Sequence, residues 1–190
     1  MSEKYIAVFM APGCEEIEAL TVVDILFRAG IPHKMVSITD ECQITSSHEV
    51  TVKTACTVAD VDFDDVQMIV LPGGIPGTPN LHACAPLIDA VHAFCESGRQ
   101  VSAICAAPSI LAKEGLLKGR RATSNPNFQH VLAECGADLV ADEPVVVDAN
   151  LITSQGMGTA IDFALEIVRT QKGDDEVERL KGAVVYWGRA

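Results

Sequence analysis

The sequence predicts an α/β protein in which a mostly parallel sheet is covered by helices on both faces. Short apolar runs, typical of fully buried strands, alternate along the chain with segments of helical periodicity. The 190 residues are enough for one well-packed core, and 48% of them are apolar. No internal repeat, low-complexity tract or linker interrupts this pattern. We therefore expect one doubly wound domain over residues 1–190.

The predicted elements follow one another in the order that such a sheet requires. The first strand, Tyr5–Met10, is continuous in apolar residues, as strands covered on both faces are. The helix at 15–28 opens with acidic residues and is followed by a glycine, which suits its dipole and its C-terminus. Five elements are expected next: a strand at 33–38, a short hairpin or extended excursion at 44–52, an acidic turn or helix fragment at 60–67, a strand at 68–71 and a helix at 87–94.

The second half of the chain continues the alternation. A strand at 101–104 runs directly into a short helix at 109–115. Two apolar runs are separated by Asp148-Ala149-Asn150, which predicts a β-hairpin. The elements expected here are strands at 121–124, 145–147 and 151–153, helices at 128–135 and 159–170, and an amphipathic segment at 175–182 before the apolar tail at 184–187.

The charge and the cysteines exclude several classes of protein. There are 26 acidic and 14 basic residues, so a net charge of −12 makes nucleic acid or an anionic membrane a poor partner. No apolar run approaches the roughly 18 residues of a membrane span. The seven cysteines include no CxxC pair, which is unlike a disulfide framework or a zinc site and typical of a reducing compartment. We expect a soluble, cytoplasmic protein without a metal or cofactor.

Cys105 is the candidate nucleophile. It directly follows the strand at 101–104, small residues come after it, and a helix begins almost at once. This pattern is a nucleophile elbow, a strained turn in which bulky neighbours would collide. The N-terminus of the following helix is expected to favour the thiolate. The alternative is one more buried structural cysteine, and the spacing alone leaves both interpretations open.

Sites in doubly wound sheets lie beyond the C-terminal ends of the strands. Three strand ends converge there, at 11–18, at 72–74 and at Cys105. Gly73 and Gly74 leave room for a backbone N–H to approach a ligand, and the N–H of Ala106 is the usual second donor for an oxyanion. Glu18 is the candidate proton relay because it lies one turn into the helix among apolar neighbours.

Other polar groups near these strand ends have simpler interpretations. Glu15 and Glu16 are expected to complement the helix dipole on a solvated surface. No histidine follows a strand end near Cys105, so a Cys–His protease is poorly supported. The five histidines are His33, His48, His82, His92 and His130.

Five ordered segments resemble the ThiJ/PfpI superfamily in its short DJ-one-like branch: 11–18, 23–30, 70–74, 103–108 and 151–160. The resemblance implies a flavodoxin-like sandwich, usually a homodimer, with no cofactor. It implies that Cys105 is a reactive, oxidisable cysteine and that the protonated carboxyl of Glu18 hydrogen-bonds its sulfur. Gly74 and Ala106 fall on the oxyanion positions. Supporting or interface positions are Glu15, Asp24, Arg28, His48, Gly156 and Met157.

Two positions depart from the pattern of the human-type branch. Asn125 replaces a histidine that has been assigned acid–base work, and an asparagine cannot relay a proton. Gly156-Met157-Gly158 replaces a Gly-Pro-Gly turn, so an oxidisable side chain either borders the pocket or packs over the dimer seam.

The resemblance implies three functions. The first is a glutathione-independent glyoxalase or deglycase acting on small aldehydes such as methylglyoxal, with Cys105 as nucleophile and Glu18 as acid–base. The second is a sensor of oxidative stress or a chaperone, in which Cys105 is oxidised to sulfinate. The third and weakest is an amidase or peptidase.

Overall fold

The computed structural model describes residues 4–188. Its strands are β1 (Tyr5–Met10), β2 (His33–Ser37), β3 (Gln43–Thr45), β4 (Thr51–Lys53), β5 (Cys56–Thr57), β6 (Val66–Leu71), β7 (Gln100–Ile104), β8 (Arg121–Ala122), β9 (Asp138–Leu139), β10 (Val145–Asp148) and β11 (Leu151–Ser154). Its α-helices are α1 (Glu16–Arg28), α2 (Gly77–His82), α3 (Ala85–Ser97), α4 (Pro108–Lys113), α5 (Gln129–Glu134), α6 (Ala160–Lys172) and α7 (Asp174–Ala183). The single domain over residues 1–190 stays a prediction, because its ends lie outside the described residues.

The main sheet has seven strands in the order β10-β11-β7-β6-β1-β2-β5. Its neighbouring strands are parallel except for the antiparallel pair of β10 and β11. The central strands β2-β1-β6-β7-β11 have the flavodoxin-like order, which confirms the predicted fold class. The chain reverses its direction of winding between β1 and β6, where such sheets form a crevice. The expected hairpin is also present as β3 and β4.

Hydrophobic cores lie on both faces of the sheet. Alternate residues of β1 point to opposite sides, so Ile6 and Val8 pack with α1, α6 and α7. Ala7 and Phe9 pack instead with residues of α3 and α4. All four side chains are fully buried. This two-sided burial explains why the strand is apolar throughout.

The elements that the sequence did not predict are short. Helix α2 begins at Gly77 and contains Pro79, residues that indicate a loop more readily than a helix. The two-residue strands β5 and β9 are too short to show any periodicity. Helix α3 is longer than predicted because Pro86 is tolerated in its first turn, and Gly98 ends it at a φ of 76°. None of the described helices is both long and apolar enough to cross a membrane.

Candidate active site

Cys105 lies where β7 ends and the turn into α4 begins. Its φ of 65° is in the left-handed region, which few residues other than glycine adopt. Its N–H donates to the carbonyl of Ser154 over 2.9 Å, and its own carbonyl accepts from the N–H of Asn125 over 2.9 Å. The structure therefore contains the strained strand–turn–helix elbow that the sequence predicts.

Gly73 packs directly against this elbow. A Cβ atom at Gly73 would lie 2.6 Å from Cys105 Cβ, 2.9 Å from Glu18 Oε2 and 3.1 Å from Ala106 N. Real side chains do not approach so closely. Only glycine therefore lets the loop after β6 contact both the cysteine and the carboxyl group.

Glu18 is fully buried on α1, with its carboxyl group beside the thiol of Cys105. Its Oε2 accepts a hydrogen bond from the N–H of Gly73 over 2.8 Å. Burial raises the pKa of Glu18 to about 7, although the hydrogen bonds from Gly73 and Cys105 act in the opposite direction. The carboxyl group is therefore ready to gain or lose a proton near neutral pH.

The pKa of Cys105 is shifted in the direction opposite to the expected one. Burial, the negative charge of Glu18 and the hydrogen bond between them raise the pKa of the thiol to about 12, against the lowering effect of N–H groups at Ala106 and Gly74. Helix α4 begins only at Pro108, and the backbone N–H groups that lower this pKa belong to Ala106 and Gly74, outside the helix. Protonation of Glu18 removes that charge, and the thiolate is therefore favoured when Glu18 holds the proton.

The backbone donors around the sulfur divide into two groups. The N–H of Gly73 donates to Glu18 and so holds this carboxyl group, and the place of Gly73 in an oxyanion pocket stays a prediction. The N–H groups of Ala106 and Gly74 face the sulfur. Their role toward a substrate oxyanion stays a prediction. Gly74 has a φ of 94°, and a Cβ atom there would lie 2.4 Å from Glu15 N.

Gly156 lies between the Cys105 sulfur and the amide of Asn125, and Met157 follows it in the chain. A Cβ atom at Gly156 would lie 3.5 Å from Asn125 Nδ2 and 3.8 Å from Cys105 Sγ. A crevice of about 340 Å³ adjoins them, and the side chain of Met157 is 57% exposed at its edge. The amide of Asn125 can donate a hydrogen bond here but cannot transfer a proton. Glu18 hydrogen-bonds Cys105 and can exchange a proton, and its acid–base role stays a prediction.

Glu15, Glu16 and His48 meet at the start of α1. Glu15 caps the helix by accepting from Ile17 N over 3.4 Å. His48 Nδ1 lies 3.1 Å from Glu16 Oε2 and 3.8 Å from Glu15 Oε2, and the hydrogen bond with Glu16 raises the pKa of His48. These side chains could supply three metal ligands, but the imidazole is exposed and already paired. The sequence predicts a solvated Glu16, whereas the structure buries this side chain.

The predicted pair of Asp24 and Arg28 forms on the exposed side of α1. Arg28 Nε donates to Asp24 Oδ2 over 2.7 Å, as the i,i+4 spacing predicts. The neighbouring Phe27 is 75% exposed. The location of this pair at a subunit interface stays a prediction.

The complete arrangement can be compared with known proteins. The profile of the DJ-1/PfpI family matches residues 4–170. The chain belongs to the DJ-1/PfpI family. Its relative dj-1beta from Drosophila melanogaster is 36% identical over 181 residues, which are 95% of this chain and 96% of that protein. The crystal structure of Drosophila DJ-1beta matches with a TM-score of 0.92 over 97% of this chain and 98% of that one, which confirms the resemblance.

Two other members of the DJ-1/PfpI family have names that bear on chemistry. A Caenorhabditis elegans relative called glutathione-independent glyoxalase DJR-1.2 is 30% identical over 190 residues, covering 94% of this chain and 95% of that protein. A structure of Toxoplasma gondii DJ-1, described as oxidized, has a TM-score of 0.90 and 28% identity. It covers 97% of this chain and 100% of that one.

Gly73→Ala is expected to destabilise the fold by roughly 1–3 kcal/mol, because the added methyl group collides with Cys105 and Glu18. Gly182→Ala is the matched control, since it lies in α7 with no atom within 4 Å of the added carbon. That change should be neutral or stabilise by up to about 1 kcal/mol. Urea unfolding measures both variants, and equal stabilities would contradict the close packing.

Glu18→Gln tests the raised pKa of the buried carboxyl group. The pKa rises from an ordinary 4.5 to about 7 on folding, so the native state binds this proton more tightly. The stability gained from this tighter proton binding is complete below the pKa of 4.5 that Glu18 has in the unfolded chain. It is lost as the pH rises through the pKa of about 7 in the folded protein. At ~1.4 kcal/mol per pKa unit, the wild type should lose roughly 3 kcal/mol relative to Glu18→Gln over that range. Parallel stability curves in urea would contradict this.

Proposed function

We propose that this protein is a cysteine-dependent, glutathione-independent glyoxalase that converts small 2-oxoaldehydes such as methylglyoxal into 2-hydroxy acids. The observation that carries the proposal is the buried carboxyl group of Glu18, with a pKa of about 7, beside a strained Cys105. Moving a proton between two carbons needs a group that is both acid and base near the working pH. The name of the C. elegans relative supports the same activity.

The first step is addition of Cys105 to the aldehyde carbon of the substrate. With Glu18 protonated, the thiolate forms the C–S bond and the electrons of the carbonyl double bond move to oxygen. The N–H groups of Ala106 and Gly74 stabilise the resulting oxyanion. Glu18 then gives its proton to that oxygen, so the product is a neutral hemithioacetal and Glu18 becomes a carboxylate.

The second step moves hydrogen from C1 to C2 of the bound substrate. The Glu18 carboxylate removes the C1 proton, the electrons shift to the C2 carbonyl oxygen, and an enediolate forms. Glu18 returns its proton to C2, while the hydroxyl proton of C1 passes to the oxygen of C2. C1 is oxidised and C2 is reduced, which leaves a Cys105 thioester. Water hydrolyses this thioester, releasing the 2-hydroxy acid and the thiol, so the reaction consumes one water and needs no cofactor.

Removal of early glycation adducts is a variant of the same proposal. The adduct carries a carbonyl-derived carbon that the Cys105 sulfur attacks, and Glu18 supplies the proton for the departing amine. Amidase or peptidase activity has less support, because Asn125 occupies the position of the histidine in the human-type branch. An amide leaving group needs a strong proton donor, and the amide of Asn125 cannot provide one.

A second candidate function is the sensing of oxidative stress. The Cys105 side chain is partly exposed, and an oxidized structure is known for the related T. gondii protein. Two molecules of peroxide would oxidise the sulfur first to sulfenate and then to sulfinate, each being reduced to water. Protonated Glu18 and the surrounding N–H groups would hydrogen-bond the sulfinate oxygens. Oxidation and glyoxalase chemistry therefore compete for one sulfur atom.

We also propose a homodimer in a reducing, cytoplasmic compartment. Ile17 and Phe27 are 45% and 75% exposed on the same side of α1 as the Asp24–Arg28 pair. Large apolar side chains rimmed by charges are typical of interaction surfaces. The seven cysteines are all unpaired, which supports the compartment.

Cys105→Ala is expected to reduce the formation of lactate from methylglyoxal, without glutathione, to the uncatalysed background. Glu18→Gln should lower it by roughly 10²–10⁴-fold, the usual contribution of a positioned acid–base group. Cys84→Ala is the control, because this partly buried thiol makes no capping hydrogen bond at the start of α3. Turnover that survives in Cys105→Ala would exclude the proposed mechanism.

Mild peroxide treatment is expected to add two oxygen atoms to the Cys105 peptide before the other cysteine peptides react. Cys14 and Cys95 are suitable internal references, since burial raises the pKa of each to about 11 and no carboxyl group hydrogen-bonds either sulfur within the described residues. Mass spectrometry of the digested protein follows the order of oxidation. Oxidation that spreads evenly over the seven thiols would rule out a sensor role for Cys105.

A further inference from the structure

A second cavity, of about 330 Å³, lies between α2, α4 and the start of α5. Cys105, Glu18 and Gly73 do not line it, so it is distinct from the crevice beside Met157. Its volume is at the lower end of the range for small-molecule sites. It corresponds to about ten water molecules in the liquid.

Thr78 supplies the first indication that this cavity binds a ligand. The residue is only 4% exposed, and its Oγ1 has no hydrogen-bond partner among the described residues. Thr78 lines the cavity, and its backbone N–H is already engaged with the carbonyl of Gly74. A buried hydroxyl group without a partner is unfavourable and uncommon in native proteins. The oxygen is closed off in this conformation, but Thr78 lines the cavity, so rotation of its side chain turns the hydroxyl group toward a bound molecule.

Lys113 supplies the second indication. It is the last residue of α4, lines the cavity and forms no ion pair within residues 4–188. The adjacent Glu114 does not neutralise it, because its two carboxylate oxygens bond His82 Nε2 and His92 Nε2 over 2.7 and 2.8 Å. In a chain with a net charge of −12, this ammonium group favours an anion.

The rest of the lining is mostly apolar. Ile75, Ile110 and Phe128 provide hydrocarbon surface, and Ser109 adds a second hydroxyl group on α4. The His82 imidazole also lines the cavity, but its Nε2 is bonded to Glu114. One ammonium group, two hydroxyl groups and an apolar wall fit an anion that carries a hydrocarbon body. We propose that this cavity binds a small monocarboxylate, with its carboxylate at Lys113, Thr78 and Ser109 and its apolar part against Ile110 and Phe128.

This proposal is independent of the proposed enzymatic activity, because binding is measured in the Cys105→Ala background. The probe is phenylacetate, followed by chemical shifts in ¹H–¹⁵N spectra. Phenylacetamide, which has the same shape without the charge, is the first control. Acetate, which has the charge without the apolar body, is the second. Shifts are expected around Thr78, Ser109 and Lys113, with both controls binding more weakly than phenylacetate.

Three variants in that background complete the test. Lys113→Gln should weaken phenylacetate binding by roughly tenfold or more, and the isosteric Thr78→Val by about fivefold. Lys118→Gln, an exposed lysine outside the lining, should leave it unchanged. Circular dichroism checks that each variant is folded. Equal binding of phenylacetamide, shifts confined to Gly73 and Gly74, undetectable phenylacetate binding, or unchanged affinity in Lys113→Gln and Thr78→Val would each overturn the proposal.

Discussion

The hydrogen bond from the N–H of Gly73 to Glu18 is the contact on which the candidate active site depends. It connects the end of β6 with α1, and the same glycine touches the elbow at Cys105. Burying a carboxyl group is unfavourable, and one backbone donor compensates only part of that loss. The remaining cost appears as a raised pKa for Glu18, which brings the group into the pH range where it exchanges protons. The buried contact that packs the Gly73 loop against α1 is therefore also what sets the pKa of Glu18.

The elements that could be predicted are those whose burial or capping is visible in the pattern of their own residues. Strand β1 is buried on both faces and is therefore apolar throughout, and α1 has acidic residues at its start. Glu18 was identifiable because its neighbours on the helix are apolar. Helix α2 was not predictable in this way, since tertiary packing at Gly77 against the loop after β1 overrides the local preference for a turn.

The electrostatics of the site depend on contacts that the sequence does not display. Glu18 and Gly73 are 55 positions apart in the sequence. Only the folded sheet shows that the Gly73 N–H is the donor to the Glu18 carboxyl group. The direction of the pKa shift at Cys105 also follows only from the folded structure. A helix N-terminus can be seen in the sequence, whereas the burial of the sulfur and the charge state of Glu18, which raise this pKa, follow from the folded structure. Thr78 and Lys113 likewise share a cavity because α2 and α4 pack together, and neither residue belongs to a recognisable motif.

The two borders of the main sheet have a consequence for how the molecule behaves in a crowded solution. One border is β5, which is only two residues long and whose Thr57 N–H already donates to Asp60 Oδ2 over 3.0 Å. The other is β10, where the carboxylate of Asp148 is held by Arg120 Nε and the N–H of Arg121 over 3.0 and 2.8 Å. A short strand and a charged hairpin are poor templates for a further strand. The protein can keep a long apolar sheet at its centre while offering little opportunity for fibril growth by edge addition.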